Sequence, residues 1–104
     1  MKIAGVEISD KSLNRTCQKW KIRQLALFGS ALVGTLAPDS DIDLLVDFDT
    51  GEQWSLMDLV RAESEFSSLF ARRVELVDRK NLERSANWIR RNAILDSAVT
   101  VYAA

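Results

Sequence analysis

Residues 41–48 read Asp41-Ile42-Asp43-Leu44-Leu45-Val46-Asp47-Phe48, and the spacing of acids and apolar residues there decides the fold. Side chains alternate across a strand, so Asp41 and Asp43 share one face while Ile42, Leu44 and Val46 occupy the other. The apolar trio belongs in a core. The two acids stand roughly 6.5 Å apart at their Cα atoms, close enough for both carboxylate heads to reach one cation. Pro38-Asp39-Ser40 makes a turn before this strand, and Thr50-Gly51-Glu52 ends it.

Working outward, residues 24–28 (Gln24-Leu25-Ala26-Leu27-Phe28) are short, apolar and closed by Gly29, which reads as a buried strand. Ser9 and Asp10 cap a helix running to about Lys19, with Leu13, Cys17 and Trp20 on its core face. Downstream, residues 54–70 place Leu56, Leu59, Ala62, Phe66, Leu69 and Phe70 in one arc of a helical wheel. Residues 73–77 (Arg73-Val74-Glu75-Leu76-Val77) form a third strand. Asn81 then caps a last helix with Leu82, Ala86, Ile89 and Ala93 on one face. The tail, residues 99–102, is either a fourth, edge strand or a docked terminus. The order helix, strand, strand, helix, strand, helix implies an α/β (α+β) sandwich, helices covering a small mixed sheet, as a single domain over residues 1–104.

The composition fits one ordered globule: 104 residues, 47% hydrophobic and 28% charged. A formal charge of -1 argues against strong direct nucleic-acid binding through bulk electrostatics. The charge is unevenly spread, however. Arg72, Arg73, Arg79, Lys80, Arg84, Arg90 and Arg91 face only Glu75, Asp78 and Glu83 in the same stretch, whereas residues 38–52 hold acids and no base. Either solvated helix faces or an acidic centre flanked by polyphosphate-binding cations gives that pattern. Cys17 is the sole cysteine and there is no histidine, which excludes an intramolecular disulfide, Cys-based zinc and imidazole chemistry. A cytoplasmic protein is expected, since no stretch suits a signal peptide or a membrane span.

Paired acids with oxygen-only ligands suit Mg²⁺, which keeps several waters and is often completed by substrate phosphates. Glu75 lies on the third strand opposite Val74 and Leu76, and becomes a third carboxylate at the same spot if that strand neighbours the second. Gly29 lets the backbone turn and approach a ligand, and Ser30 offers a hydroxyl and an N–H to a phosphate. A competing reading makes Asp39 and Ser40 a plain turn with Asp41 and Asp43 solvated. An EF-hand loop fails, because Leu44 stands where glycine is needed and Thr50 where the closing glutamate belongs. Trp20, Trp54 and Trp88 read as core or partner contacts rather than base-stacking platforms.

Leu27-Phe28-Gly29-Ser30, Gly34, the run from Pro38 to Val46 and Arg73-Val74-Glu75-Leu76-Val77 together resemble the minimal nucleotidyltransferase (MNT) family of the DNA polymerase beta superfamily. The resemblance covers nearly the whole chain. It implies that Asp41 and Asp43 are catalytic metal ligands, that Glu75 matches the third carboxylate, and that Gly29 and Ser30 hold the triphosphate of ATP or another NTP. It further implies a Mg²⁺-dependent nucleotidyltransferase that moves AMP, or another NMP, to a hydroxyl of a HEPN-type toxin, acting as its antitoxin. The alternative is a degenerate antitoxin that neutralises its toxin by binding alone. Two departures bear on that choice: Val33 stands where many relatives carry arginine, and Glu75 where aspartate is usual.

Overall fold

The computed structural model describes residues 2–3, 6–29, 41–49 and 54–104. Strands β1 (Lys2–Ile3) and β2 (Val6–Glu7) pair antiparallel, a short ladder that the sequence pattern did not announce. Helix α1 (Asp10–Lys19) begins where Ser9 accepts a hydrogen bond from the Ser12 N–H at 3.3 Å, and it buries Leu13 and Cys17. Burial pushes the Cys17 thiol up to about 12, so it is a neutral core group.

Strand β3 (Ile22–Phe28) runs antiparallel to β4 (Ile42–Phe48). An extra residue at Arg23 shifts their register, since Ile22 pairs with Phe48 and Gln24 with Asp47. That bulge resets the alternation, which is why Ile22, Leu25 and Leu27 all enter the same core. Helix α2 (Leu56–Phe70) starts at a capping box in which Ser55 and Asp58 bond to each other's backbone N–H. It carries the chain back to β5 (Val74–Asp78), which lies parallel to β4. Next come α3 (Arg79–Glu83), α4 (Trp88–Ser97) and β6 (Val99–Ala103), an edge strand antiparallel to β3. The four-stranded order is β5-β4-β3-β6.

The two sheet faces bury different clusters. On one face Ile42, Leu44, Val46 and Phe48 pack with Leu13, Trp20, Phe66 and Phe70 under α1 and α2. Trp20 meets Trp54 edge-on at 5.2 Å between ring centroids, and Glu65 accepts hydrogen bonds from Trp20 and Lys19, tying the end of α1 to α2. On the other face Ala26, Phe28 and Leu45 pack with Leu82 of α3 and Ile94 of α4. The acid-bearing side of β4 is therefore half core and half site.

Two expectations need correction. The last helix is not one element capped by Asn81: Asp78 caps α3, and Asn87 caps α4 by accepting from the Arg90 N–H at 3.2 Å. Ile94 is the buried anchor of α4, while Ile89 is 65% exposed. Leu56 lies in the first turn of α2, beyond the edge of the sheet core, and is 77% exposed.

Candidate functional site

The site assembles at the end of the sheet where β3 stops and β4 begins. Phe28 pairs with Asp43 across β3–β4, and Asp43 pairs with Glu75 across β4–β5. The parallel neighbour that Glu75 required is thus in place. Because β4 and β5 run in register, Glu75 and Asp43 emerge side by side on the same face.

Burial raises the Asp43 carboxyl above the ordinary carboxylate range, the like charges of Glu75 and Asp41 raise it further, and Arg90 opposes them. Asp41 sits just before β4, half-exposed, with Arg73 Nε 3.9 Å from its Oδ2. The structure therefore brings Asp43 and Glu75 into contact, while Asp41 turns toward Arg73. Among the described residues no group of three or more acids, cysteines or histidines is gathered as a ready metal cage. The donor set nevertheless suits a hard divalent cation, being oxygen-only and overloaded with negative charge that a cation relieves.

Gly29 occupies the position its conformation requires. Its φ is +81°, and a Cβ placed there would stand 2.6 Å from Oδ2 of Asp43, inside any tolerable contact. Glycine is what lets β3 end flush against the carboxylate. Ser30, Val33, Gly34 and the turn at residues 38–40 lie outside the described residues. A cavity of about 580 Å³ lined by Lys21, Ile22, Arg23, Asp49 and Tyr102 lies at the opposite end of the sheet, away from these acids. In the sequence Arg73 stands out as the start of the third strand and a member of a basic run, and Arg90 only as a member of that run. The signal that singles out Arg90 is its four-residue spacing from the buried Ile94.

Comparison with known proteins gives a consistent result. The family model for the nucleotidyltransferase domain matches residues 9–101. Protein adenylyltransferase MntA of Thermococcus cleftensis is 35% identical over 66 residues, 64% of this chain and 65% of its own length. The chain thus spans slightly under two thirds of that relative. A provisionally named protein adenylyltransferase of Methanocaldococcus jannaschii is 32% identical over 73% of this chain and 76% of its own. A solved structure provisionally assigned as a minimal nucleotidyltransferase superposes with a TM-score of 0.66 at 29% identity, covering 86% and 85% of the two chains. The MNT antitoxin complex with tri-AMPylated Shewanella oneidensis HEPN toxin gives a TM-score of 0.60 at 18% identity, over 90% and 69% of the chains. At that identity the likeness shows the fold.

Proposed function

Because the chain belongs to the nucleotidyltransferase domain family, we propose that it transfers AMP from ATP to a hydroxyl on a partner protein, a HEPN-type toxin that it thereby neutralises. The observation that carries this reading is the registered pair Asp43–Glu75 beside Gly29, with Asp41 two residues away. The adenylyltransferase names of its relatives and the AMPylated toxin in a complex of the same fold supply the acceptor class.

In this reading Asp41, Asp43 and Glu75 are the residues that would hold Mg²⁺, which when bound neutralises charge on the polyphosphate. Gly29 and Ser30 offer backbone and hydroxyl groups to the phosphates. The acceptor oxygen bonds to the α-phosphorus as the bond to the bridging oxygen breaks, and pyrophosphate leaves with that electron pair. The hydroxyl proton passes to a carboxylate of the Asp43–Glu75 pair, which stand side by side across β4–β5.

The test uses Asp43→Asn. Asp43 has its carboxyl raised in the fold, so its contribution to stability is present in acid and lost as pH rises through the raised value; at neutral pH it is a cost. Without divalent metal, Asp43→Asn should unfold no earlier than the parent at pH 7, with a smaller gap in its favour at pH 4. With Mg²⁺ and ATP the parent should gain thermal stability and the variant should not, because only binding to the native state raises it. Equal stabilisation of both proteins removes Asp43 from the site.

A further inference from the structure

We propose that Arg73 is an exchangeable counter-ion of the site: it holds Asp41 in the metal-free protein and passes to the nucleotide's phosphates when a divalent cation takes Asp41. The assignment rests on the nucleotidyltransferase reading above. Strand β5 starts at Val74 beside Ile42, and Glu75 stands beside Asp43. Arg73 comes two residues before Glu75, and Asp41 two before Asp43, so all four belong to one face. The backbone at Arg73 is fixed from both sides. The Ile42 N–H donates to the Arg73 carbonyl at 2.8 Å, and the Val74 N–H donates to Ser67 Oγ of α2 at 2.9 Å.

The side chain is as free as its backbone is fixed. It is 83% exposed, and its Nε lies 3.9 Å from Asp41 Oδ2, a charge contact too long for a hydrogen bond. An exposed ion pair of that kind adds little to stability, so its effect is felt chiefly by whatever else binds Asp41. A divalent cation competes with the guanidinium for the same carboxylate, because each brings positive charge to it. Metal at Asp41 therefore releases Arg73, which stays anchored through its backbone at the end of the sheet where the acids stand. The ligand that arrives with the metal is a polyphosphate. Arginine suits it, because its planar fork binds phosphate through two parallel hydrogen bonds. Arg79, at the other end of β5, is instead committed to Glu83.

The exchange gives one substitution two effects of opposite sign. Mn²⁺ takes the same oxygen ligands as Mg²⁺, and its free ion is counted by EPR. In Arg73→Ala, Mn²⁺ alone should bind roughly fivefold tighter, because a competing charge is gone. ATP in saturating Mg²⁺, followed by titration calorimetry, should bind weaker by about tenfold or more, because charge-assisted hydrogen bonds are lost. Arg73→Lys keeps the charge without the fork, so it should leave Mn²⁺ near the parent and restore ATP binding in part. Arg84→Ala, which removes an exposed arginine at the end of α3, should match the parent in both. The metal-free melting temperature of Arg73→Ala should hardly move. A fall in both affinities, no change in either, or a change in only one overturns the proposal. If the parent itself binds neither Mn²⁺ nor ATP, the nucleotidyltransferase reading fails and takes this assignment with it.

Discussion

Gly29 is the residue at which fold and chemistry constrain each other most tightly. Its left-handed φ and the 2.6 Å that a Cβ would leave to Asp43 act together, so Gly29→Ala both strains the backbone and drives the carboxylate from its place. A non-glycine residue held in that region costs about 1–3 kcal/mol, and the melting temperature should fall by several degrees. Affinity for Mg²⁺ with ATP should fall as well, and Asp43→Asn in the same background should recover part of the stability because a neutral amide tolerates displacement better than a crowded carboxylate. Unchanged melting in Gly29→Ala would show that the contact with Asp43 is slack. The pairing of acids was legible at this scale: Asp41 and Asp43 follow from strand alternation, and Glu75 from its place between Val74 and Leu76. The contact of Glu75 with Asp43 was only conditional, because strand adjacency is set by the crossover through α2, and no residue in β4 or β5 encodes it alone.

Elements were legible where a cap and a periodicity agree. Helix α1 begins at Ser9 as its sequence implies, and α2 keeps Ala62, Phe66 and Phe70 fully buried. The reading failed where caps compete. Asn81 and Asp78 both suit a helix start, and Asp78 wins because its side chain accepts from the Lys80 N–H at 3.0 Å; Asn87 then opens a second helix whose anchor is Ile94, five residues past the apolar position expected at Ile89. The bulge at Arg23 escaped for a related reason: Ile22 stands three residues from Leu25, which breaks a period of two. The capping box of α2 gives a direct test. Ser55→Ala leaves the Asp58 N–H without its hydroxyl acceptor and should cost about 1 kcal/mol in denaturant unfolding. The Asp58 carboxyl is held below its ordinary range by the Ser55 backbone N–H and then its hydroxyl, so this support is present above the ordinary carboxylate value and is lost as pH falls through the lowered one. The part of the difference that runs through the Ser55 hydroxyl and Asp58 should accordingly narrow at low pH; a constant difference would mean that the hydroxyl contributes nothing through Asp58.

At the scale of the whole molecule, the sheet presents one face wholly given to core and one shared between core and site. Among the described residues Glu75 is exposed and Asp41 and Asp43 are half-buried, so the acids are reachable from solvent. Such a site suits an acceptor carried by a second protein, whose own surface excludes water around the reacting groups. Trp88 and Ile89, exposed in the first turn of α4, and Leu56, Met57 and Val60 at the start of α2 leave apolar area uncovered in this chain. Among the described residues no helix is long and apolar enough to cross a membrane, so a bilayer-spanning helix does not account for that area. Whether the chain modifies the proposed HEPN-type partner or merely covers it is decided by mass. Intact-mass spectrometry of the HEPN-type partner, after incubation with ATP, Mg²⁺ and either the parent or Asp41→Asn, should show added adenylyl groups with the parent and none with the variant. Neutralisation of the partner by both proteins, with no added mass in either, would contradict transfer and leave an antitoxin that acts by binding.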